Sequence, residues 1–190
     1  MTCNLPLSYN RRKDPASVRA ALLDAATAAI ARDGFARLTV DAVARAAGVT
    51  KGGLFHHFAS KQALVDGVLE AMLAAAGRVM DTAMAADPEP HGCFTRAYLA
   101  GVLGQHDPAE REQSRGLCMA MLGDPTLQDS WRDWVADRVR QHAATDDNPR
   151  CALARLAGDG IWLASLSHPE RPPAICPDVR TALVALTYPA

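Results

Sequence analysis

The chain of 190 residues is 49% hydrophobic and 22% charged, which suits a soluble globular protein with one or two cores and excludes disorder over its whole length. Its net charge of −1 gives the molecule as a whole no electrostatic pull on nucleic acid. The five cysteines are scattered without a Cys-x-x-Cys pair, which argues against a disulfide framework.

The charge is divided along the chain. Residues 1–62 hold nine Lys/Arg against four Asp/Glu, and residues 63–190 hold eleven against seventeen, a split that fits a basic, polyanion-facing N-terminal part on an acidic body and is also within the range of an ordinary surface. The first residues show no apolar core of the signal-peptide kind, and no apolar run approaches the roughly 18 to 20 residues of a membrane span. The expectation is a cytoplasmic protein with no membrane partner.

Residues 1–14 lack periodicity and carry Arg11, Arg12 and Lys13, so they read as a mobile basic tail, either solvated or touching a minor groove or phosphate. From Pro15 to Asp33, Val18, Ala21, Leu22, Ala25, Ala26, Ala29 and Ile30 repeat at the spacing of one buried helix face, and Gly34 ends the helix. Phe35 and Leu38 then fold back beneath two short helices, giving a three-helix head.

The run Leu38 to Lys61, LTVDAVARAAGVTKGGLFHHFASK, reads as a helix-turn-helix. Thr39 caps a first helix, with Leu38 and Val43 placed as a hydrophobic staple. Gly48 supplies the left-handed turn, and Thr50 caps the second helix with Val49 and Leu54 as its staple. This second helix, Lys51 to Phe58, contains Gly52 and Gly53, each costing roughly 1 kcal/mol relative to alanine. Close approach of a large neighbour would compensate, and Lys51, His56, His57 and Lys61 around the glycines suit a polyanion. The reading is a recognition helix in the DNA major groove, with its first turn at the base edges. Ser60 caps the next helix, and Lys61 with that helix start forms a second phosphate anchor. A plain helical hairpin with a solvated basic end is the competing reading.

Thr39, Ala44, Gly48, Val49, Gly52, Leu54, His57, Phe58, Ser60, Lys61 and Leu64 fall at the spacing of a known pattern. The stretch Leu38 to Leu64 resembles the DNA-binding domain of the tetracycline-repressor (TetR) family. Phe55 departs from that pattern, which has a tyrosine whose hydroxyl meets a phosphate. The resemblance implies an all-α fold: a three-helix helix-turn-helix head over residues 15–62, then a helical effector-binding and dimerisation domain over 63–190. It implies a cytoplasmic homodimer on a palindromic double-stranded DNA operator, released by a small-molecule effector. The expected DNA-binding residues are Thr39, Thr50, Lys51, Gly52, Gly53, Phe55, His56, His57 and Lys61.

From Ser60, the apolar residues Leu64, Val68, Met72, Ala75 and Val79 repeat to about Ala86, where Asp87-Pro88-Glu89-Pro90 breaks the helix. One unbroken helix would therefore join the head to the body. Further helices are expected at about 91–105, 108–122, 127–144, 149–166 and 177–187, with Asp107-Pro108 and Asn148-Pro149 as caps and Asp124-Pro125, His168-Pro169 and Pro172-Pro173 as other breaks. The last two helices would form a four-helix bundle between subunits in the family, with Gly158, Gly160, Ala164 and Ser165 allowing close approach; packing within one chain explains the same pattern.

Phe94, Tyr98, Cys118, Met121, Trp131 and Trp134, with Met119 and Leu122, supply the aromatic and sulfur-rich inventory of an adaptable ligand site, or of ordinary core. His91, Cys93, His106, Cys118 and His142 do not have paired-ligand spacing, so no metal and no cofactor are expected. No phosphate loop, nucleophile elbow or His-Glu-x-x-His occurs, so no enzyme is expected. The alternatives are a helical adaptor or a thiol-responsive regulator without a small-molecule ligand, with Cys151 beside Arg150 as the best thiol. An adaptor has no physical reason to keep Gly52 and Gly53 among cationic side chains.

Overall fold

The computed structural model describes residues 14–104, 108–167 and 177–189. The basic triplet of the tail, Cys3, His106, Cys176 and the breaks at His168-Pro169 and Pro172-Pro173 lie outside the described residues. Helices α1 (Pro15–Asp33), α2 (Val40–Ala46) and α3 (Lys51–His57), with a 3-10 turn at Phe35–Arg37, form the head. The long α4 (Lys61–Ala85) leads into α5 (Cys93–Leu103), α6 (Pro108–Leu122), α7 (Pro125–Gln141), the single turn α8 (Ala143–Asp146), α9 (Pro149–Ser167) and α10 (Pro177–Ala185).

Local chemistry explains several of the starts, while α5 and α8 begin without a side-chain cap and the expected cap Asp107 of α6 lies outside the described residues. The side chain of Asp14 accepts a hydrogen bond from Ser17 N at 3.2 Å, ahead of a proline at the first helical position. Asp124 does the same for α7, accepting from Thr126 N at 3.0 Å and Leu127 N at 3.3 Å. Asp124-Pro125 is therefore a helix start and not merely a break, and α7 begins two residues before the expected Leu127. It also ends earlier: the chain turns at His142, and the expected helix to residue 144 is split into α7 and α8. Asn148 caps α9, its Oδ1 accepting from Cys151 N at 3.0 Å.

The head's core, built on Leu22, Ala26, Ile30, Leu38, Val43, Leu54 and Phe58, continues into α4 through Leu64, Val65 and Val68. Leu117 and Met121 of α6 and Leu127 of α7 join the same cluster. The approach of α6 to α1 is close: a Cβ built on Gly116 would lie 2.1 Å from the carbonyl oxygen of Ala31. Head and body thus share one apolar junction besides the covalent continuity of α4.

In the body, α5 is the central element, with residues 93–99 all buried. Met80, Phe94, Ala97 and Tyr98 form a second core against Trp131, Trp134, Val135 and Val139. Leu99, Leu103, Ala154 and Leu183 form a third between α5, α9 and α10. Val79, expected on the buried face of α4, is 63% exposed, and Met80 is buried in its place. The apolar stripe of α4 rotates past Ala75 because its far half packs on α5 and α7 instead of on the head.

One cation closes the far end of the body. The buried Arg96 guanidinium donates to Asp87 Oδ2 at 2.6 Å, to the carbonyl oxygens of Glu89 and His91, and to Thr187 O and Oγ1 at 3.2 Å, with the Tyr188 ring 4.4 Å away. The Asp87 carboxyl is held below its ordinary range by that guanidinium. Gly92, at φ 70°, lies so near that a Cβ there would be 1.9 Å from Thr187 O.

Candidate nucleic-acid interface

The helix-turn-helix is built by the short-range rules visible in its residues. Thr39 Oγ1 accepts from Ala42 N at 3.2 Å, Thr50 Oγ1 from Gly53 N at 3.0 Å, and Ser60 Oγ from Ala63 N at 3.0 Å. Gly48 has φ 66° and donates its N–H to Arg45 O at 3.2 Å, turning the chain between α2 and α3. Leu38, Val43 and Leu54 are buried and Val49 half-buried in one cluster, so both staples close. Phe58 is pinned beneath α4, where a Cβ on Gly67 would lie 2.9 Å from its ring, and Arg19 of α1 lies 5.0 Å from its centre.

With Leu54 and Phe58 facing inward, α3 turns its other residues out. Lys51, Gly52, Phe55, His56 and Lys61 are exposed, Gly53 and His57 half-buried, and the caps Thr39 and Thr50 lie at the surface beside them. The two glycines differ. A Cβ on Gly53 would meet Thr50 Oγ1 at 3.3 Å, so that residue protects the cap, whereas around Gly52 only Thr50 Oγ1, at 4.0 Å, comes within reach. Nothing inside the protein calls for a glycine at position 52; its bareness is available to something outside. Phe55 is 42% exposed, a large apolar ring presented to solvent on the same helix. The rings of His56 and His57 meet edge to face at 5.6 Å.

Asp41 at the start of α2 is a member of this surface that sequence reasoning missed. Its Oδ2 accepts from Lys51 Nζ at 3.2 Å. The two residues stand ten apart on different helices, so no short-range spacing rule pairs them.

The proposed ligand residues divide between two cores. Phe94, Tyr98 and Trp134 meet in the body, Met121 lies in the cluster shared with the head, and Trp131 touches both. The rings of Trp131 and Trp134 stack at 5.3 Å, and His142 stacks on Phe94 at 5.5 Å. The Tyr98 hydroxyl donates to Asp159 on α9, and burial together with that carboxylate raises the phenol's pKa. Cys118 is half-buried and its thiol is pushed up to about 11 by burial. Met119 and Leu122 are exposed, and Met119 lines a groove of about 500 Å³ between the head and α6 together with Phe35, Lys61 and Val65. Cys151, the thiol singled out from its arginine neighbour, is fully buried, and its sulfur accepts from Asn148 Nδ2 at 3.3 Å. It lacks the exposure a thiol sensor needs, because the cap of α9 draws it inward.

The family model described as "Bacterial regulatory proteins, tetR family" matches residues 22–68, and that described as "Tetracyclin repressor-like, C-terminal domain" matches residues 92–188. The chain belongs to the TetR family. Its similarity to the HTH-type transcriptional repressor Rv1474c of Mycobacterium tuberculosis is 34% identity over 173 residues, covering 84% of this chain and 89% of that one. The HTH-type transcriptional repressor KstR2 of Rhodococcus jostii is 44% identical over 55 residues, 29% of this chain and 27% of that one. Among solved structures, the multidrug binding protein EbrR complexed with malachite green has a TM-score of 0.68 at 26% identity, covering 90% of this chain and 98% of that one. A TetR-family member from Streptomyces coelicolor A3 has a TM-score of 0.66 at 27% identity, covering 90% and 99%. This TetR-family chain is a DNA-binding transcriptional regulator with a helical ligand-binding domain, and the helical-adaptor and thiol-only readings are not favoured.

Proposed function

We propose that the protein is a homodimeric repressor that reads a palindromic operator through α3 and leaves it when a small molecule binds the body over residues 63–190. The observation that carries the DNA reading is Gly52: a bare, exposed helix position with Lys51, His56 and Lys61 around it. Lys51 and Lys61 meet phosphate or base edges, Thr39, Thr50 and Gly53 supply groups at the helix starts, and Phe55, His56 and His57 complete the contact face. Gel-shift titrations over several salt concentrations test this. Lys51→Ala and Lys61→Ala should each weaken operator binding and lower the salt slope by about one unit per lost phosphate contact. Unchanged affinity in both variants would sink the assignment.

Dimerisation through α9 and α10 is supported by an apolar face the single chain leaves open. Leu153, Leu156 and Leu163 are exposed, Leu156 to 68%, and a Cβ on Gly160 would meet nothing. Val179 of α10 is exposed too. Gly158 serves a different purpose: a Cβ there would lie 2.9 Å from Leu99 Cδ2, so it admits α5 of its own chain. Exposed leucines in this number are unfavourable unless a partner covers them, and two-fold symmetry matches paired half-sites. Leu156→Asp should convert a dimer into monomer in sedimentation at micromolar concentration and weaken operator binding. A variant that remains a dimer would remove α9 from the interface.

The effector region is the cluster of Phe94, Tyr98, Trp131 and Trp134, with Cys118 and Met121 between it and the head. EbrR, the multidrug binding protein similar to this chain, is a structure with malachite green bound, which supports a body that accepts an organic ligand. Since α4 runs from this cluster to Lys61 without interruption, a change in its tilt alters the separation of two recognition helices in a dimer. A hundredfold loss of operator affinity needs about 2.7 kcal/mol of coupling, within the usual allosteric range.

A further inference from the structure

The two lysines of the DNA-facing surface are held differently. Lys51, the first residue of α3, donates from Nζ to Asp41 Oδ2 on α2 at 3.2 Å. Lys61, the first residue of α4, forms no ion pair among the described residues. The Asp41–Lys51 pair does little for the fold: its side chains are 61% and 57% exposed, and ion pairs in that setting contribute almost nothing to stability. As an acid in the first turn of α2, Asp41 would serve the helix equally well if it pointed at water. On a surface that meets phosphates it is unfavourable, because it places a negative charge there and cancels that of Lys51. What the contact provides is position. A lysine carries its ammonium on a flexible four-carbon stem; once one of the three N–H groups is pinned, the directions of the other two are restricted.

We propose that Asp41 is a positioning residue for sequence reading: it holds Lys51 Nζ so that the two remaining N–H groups meet O6 and N7 of one guanine in each half-site, while Lys61 serves phosphate. This rests on the operator reading above and assigns one base to one side chain. Guanine is the base that shows two adjacent acceptors in the major groove, whereas adenine sets an amino donor beside its N7, which a lysine cannot use. The surroundings of Lys51 agree. At Gly52, the next residue, only Thr50 Oγ1 lies within reach of an added Cβ, so the backbone beside the ammonium can come close to the base edges. The acid also discriminates by charge. On DNA without the guanine, a paired Lys51 has little to offer a phosphate, so the face holds arbitrary sequence less tightly than its lysines alone would. Some affinity is thereby given up for a larger ratio between operator and other DNA, the quantity that matters among a genome of competing sites.

The test uses the full chain and a library of random duplexes, from which repeated rounds of binding recover the preferred sequence. Wild type should return a two-fold symmetric motif, and the guanine that Lys51 reads is the one whose preference Lys51→Ala loses. Changing that guanine to adenine in both halves should weaken wild-type binding about a hundredfold. In Asp41→Ala the same change should cost only about tenfold. Mixed-sequence duplex should bind Asp41→Ala several-fold more tightly than wild type at low salt, with a salt slope steeper by about one unit per subunit, since the freed ammonium now meets a phosphate. Circular dichroism and melting report the fold; a role confined to stabilising α2 would lower affinity for all DNA by one factor and leave the base preference alone. The proposal is overturned if Asp41→Ala keeps the full guanine preference, if it changes operator and mixed-sequence affinity by the same factor, or if Lys51→Ala loses no guanine. A wild-type chain that recovers no motif removes the operator reading as well. A motif to which Asp41 and Lys51 are both indifferent keeps that reading and removes only this one.

Discussion

Replacing Gly52 with leucine is expected to lower operator affinity about a hundredfold while leaving the head at least as stable as before. The two effects separate because the position is unconstrained from within. The nearest atom to a Cβ there is Thr50 Oγ1, at 4.0 Å, the residue has ordinary helical backbone, and the position is exposed, so a Cβ meets no clash and the rest of the side chain extends from a solvent-facing site. Leucine is also the better helix former, by up to about 1 kcal/mol at an exposed site. Against DNA the same side chain stands between the first turn of α3 and the base edges, in both subunits of a dimer. Lost base contacts are worth about 1–3 kcal/mol each, so the hundredfold loss, about 2.7 kcal/mol, is a modest expectation. Melting temperature and gel-shift affinity measured on the same preparation decide it. A variant that binds operator as tightly as the parent would place the recognition surface elsewhere.

Gly116→Ala should be the most destabilising single-methyl change at the junction of head and body, by about 3 kcal/mol. The added Cβ would sit 2.1 Å from Ala31 O and 2.7 Å from its carbonyl carbon. Both are backbone atoms in the middle of contacts made by α1, so no side-chain rotation relieves them; α6 must move away. Leu117 and Met121 on the same helix would be drawn out of the head's core. Scanning calorimetry should show a fall of roughly 6–12 °C in melting temperature for a chain of this size. Gly101→Ala is the control, because a Cβ there has nothing within 4 Å. Equal melting of the two variants would mean the junction can slide freely, and α6 would not couple head to body.

The head was legible in the sequence to the level of individual hydrogen bonds because its rules are short-ranged. Thr39, Thr50 and Ser60 each cap an amide three residues ahead, and Gly48 turns the chain where it stands. The exposed face of α3 followed from the same spacing, since burying Leu54 and Phe58 leaves Lys51, Gly52, Phe55 and His56 outside. The body was legible as helices but not as contacts. Val79 and Met80 are equally apolar neighbours, and only the positions of α5 and α7 decide that Met80 is the buried one. Met121 and Phe94 belong to one inventory by composition, yet they lie in different cores because α6 packs on α1 and α5 does not. Arg138 had only a weak signal, its i, i+4 spacing from Trp134 on the same helix: an arginine in the last turn reads as solvated until the Phe94 ring of α5 is brought beside it.

The cation that closes the far end of the body also imposes an order on biosynthesis. Arg96 leaves the ribosome 91 residues ahead of Thr187, whose carbonyl and hydroxyl oxygens are two of its acceptors. Until those residues emerge, the nascent chain must either hold a guanidinium with part of its shell missing or leave that corner hydrated, and a buried charge without its partners is strongly unfavourable. The helix-turn-helix needs no such wait for its caps, all of which are made within three residues. Translation therefore delivers a head with its local structure formed well before the body can seal, and a ribosome stalled short of Thr187 should display a protease-sensitive body behind it.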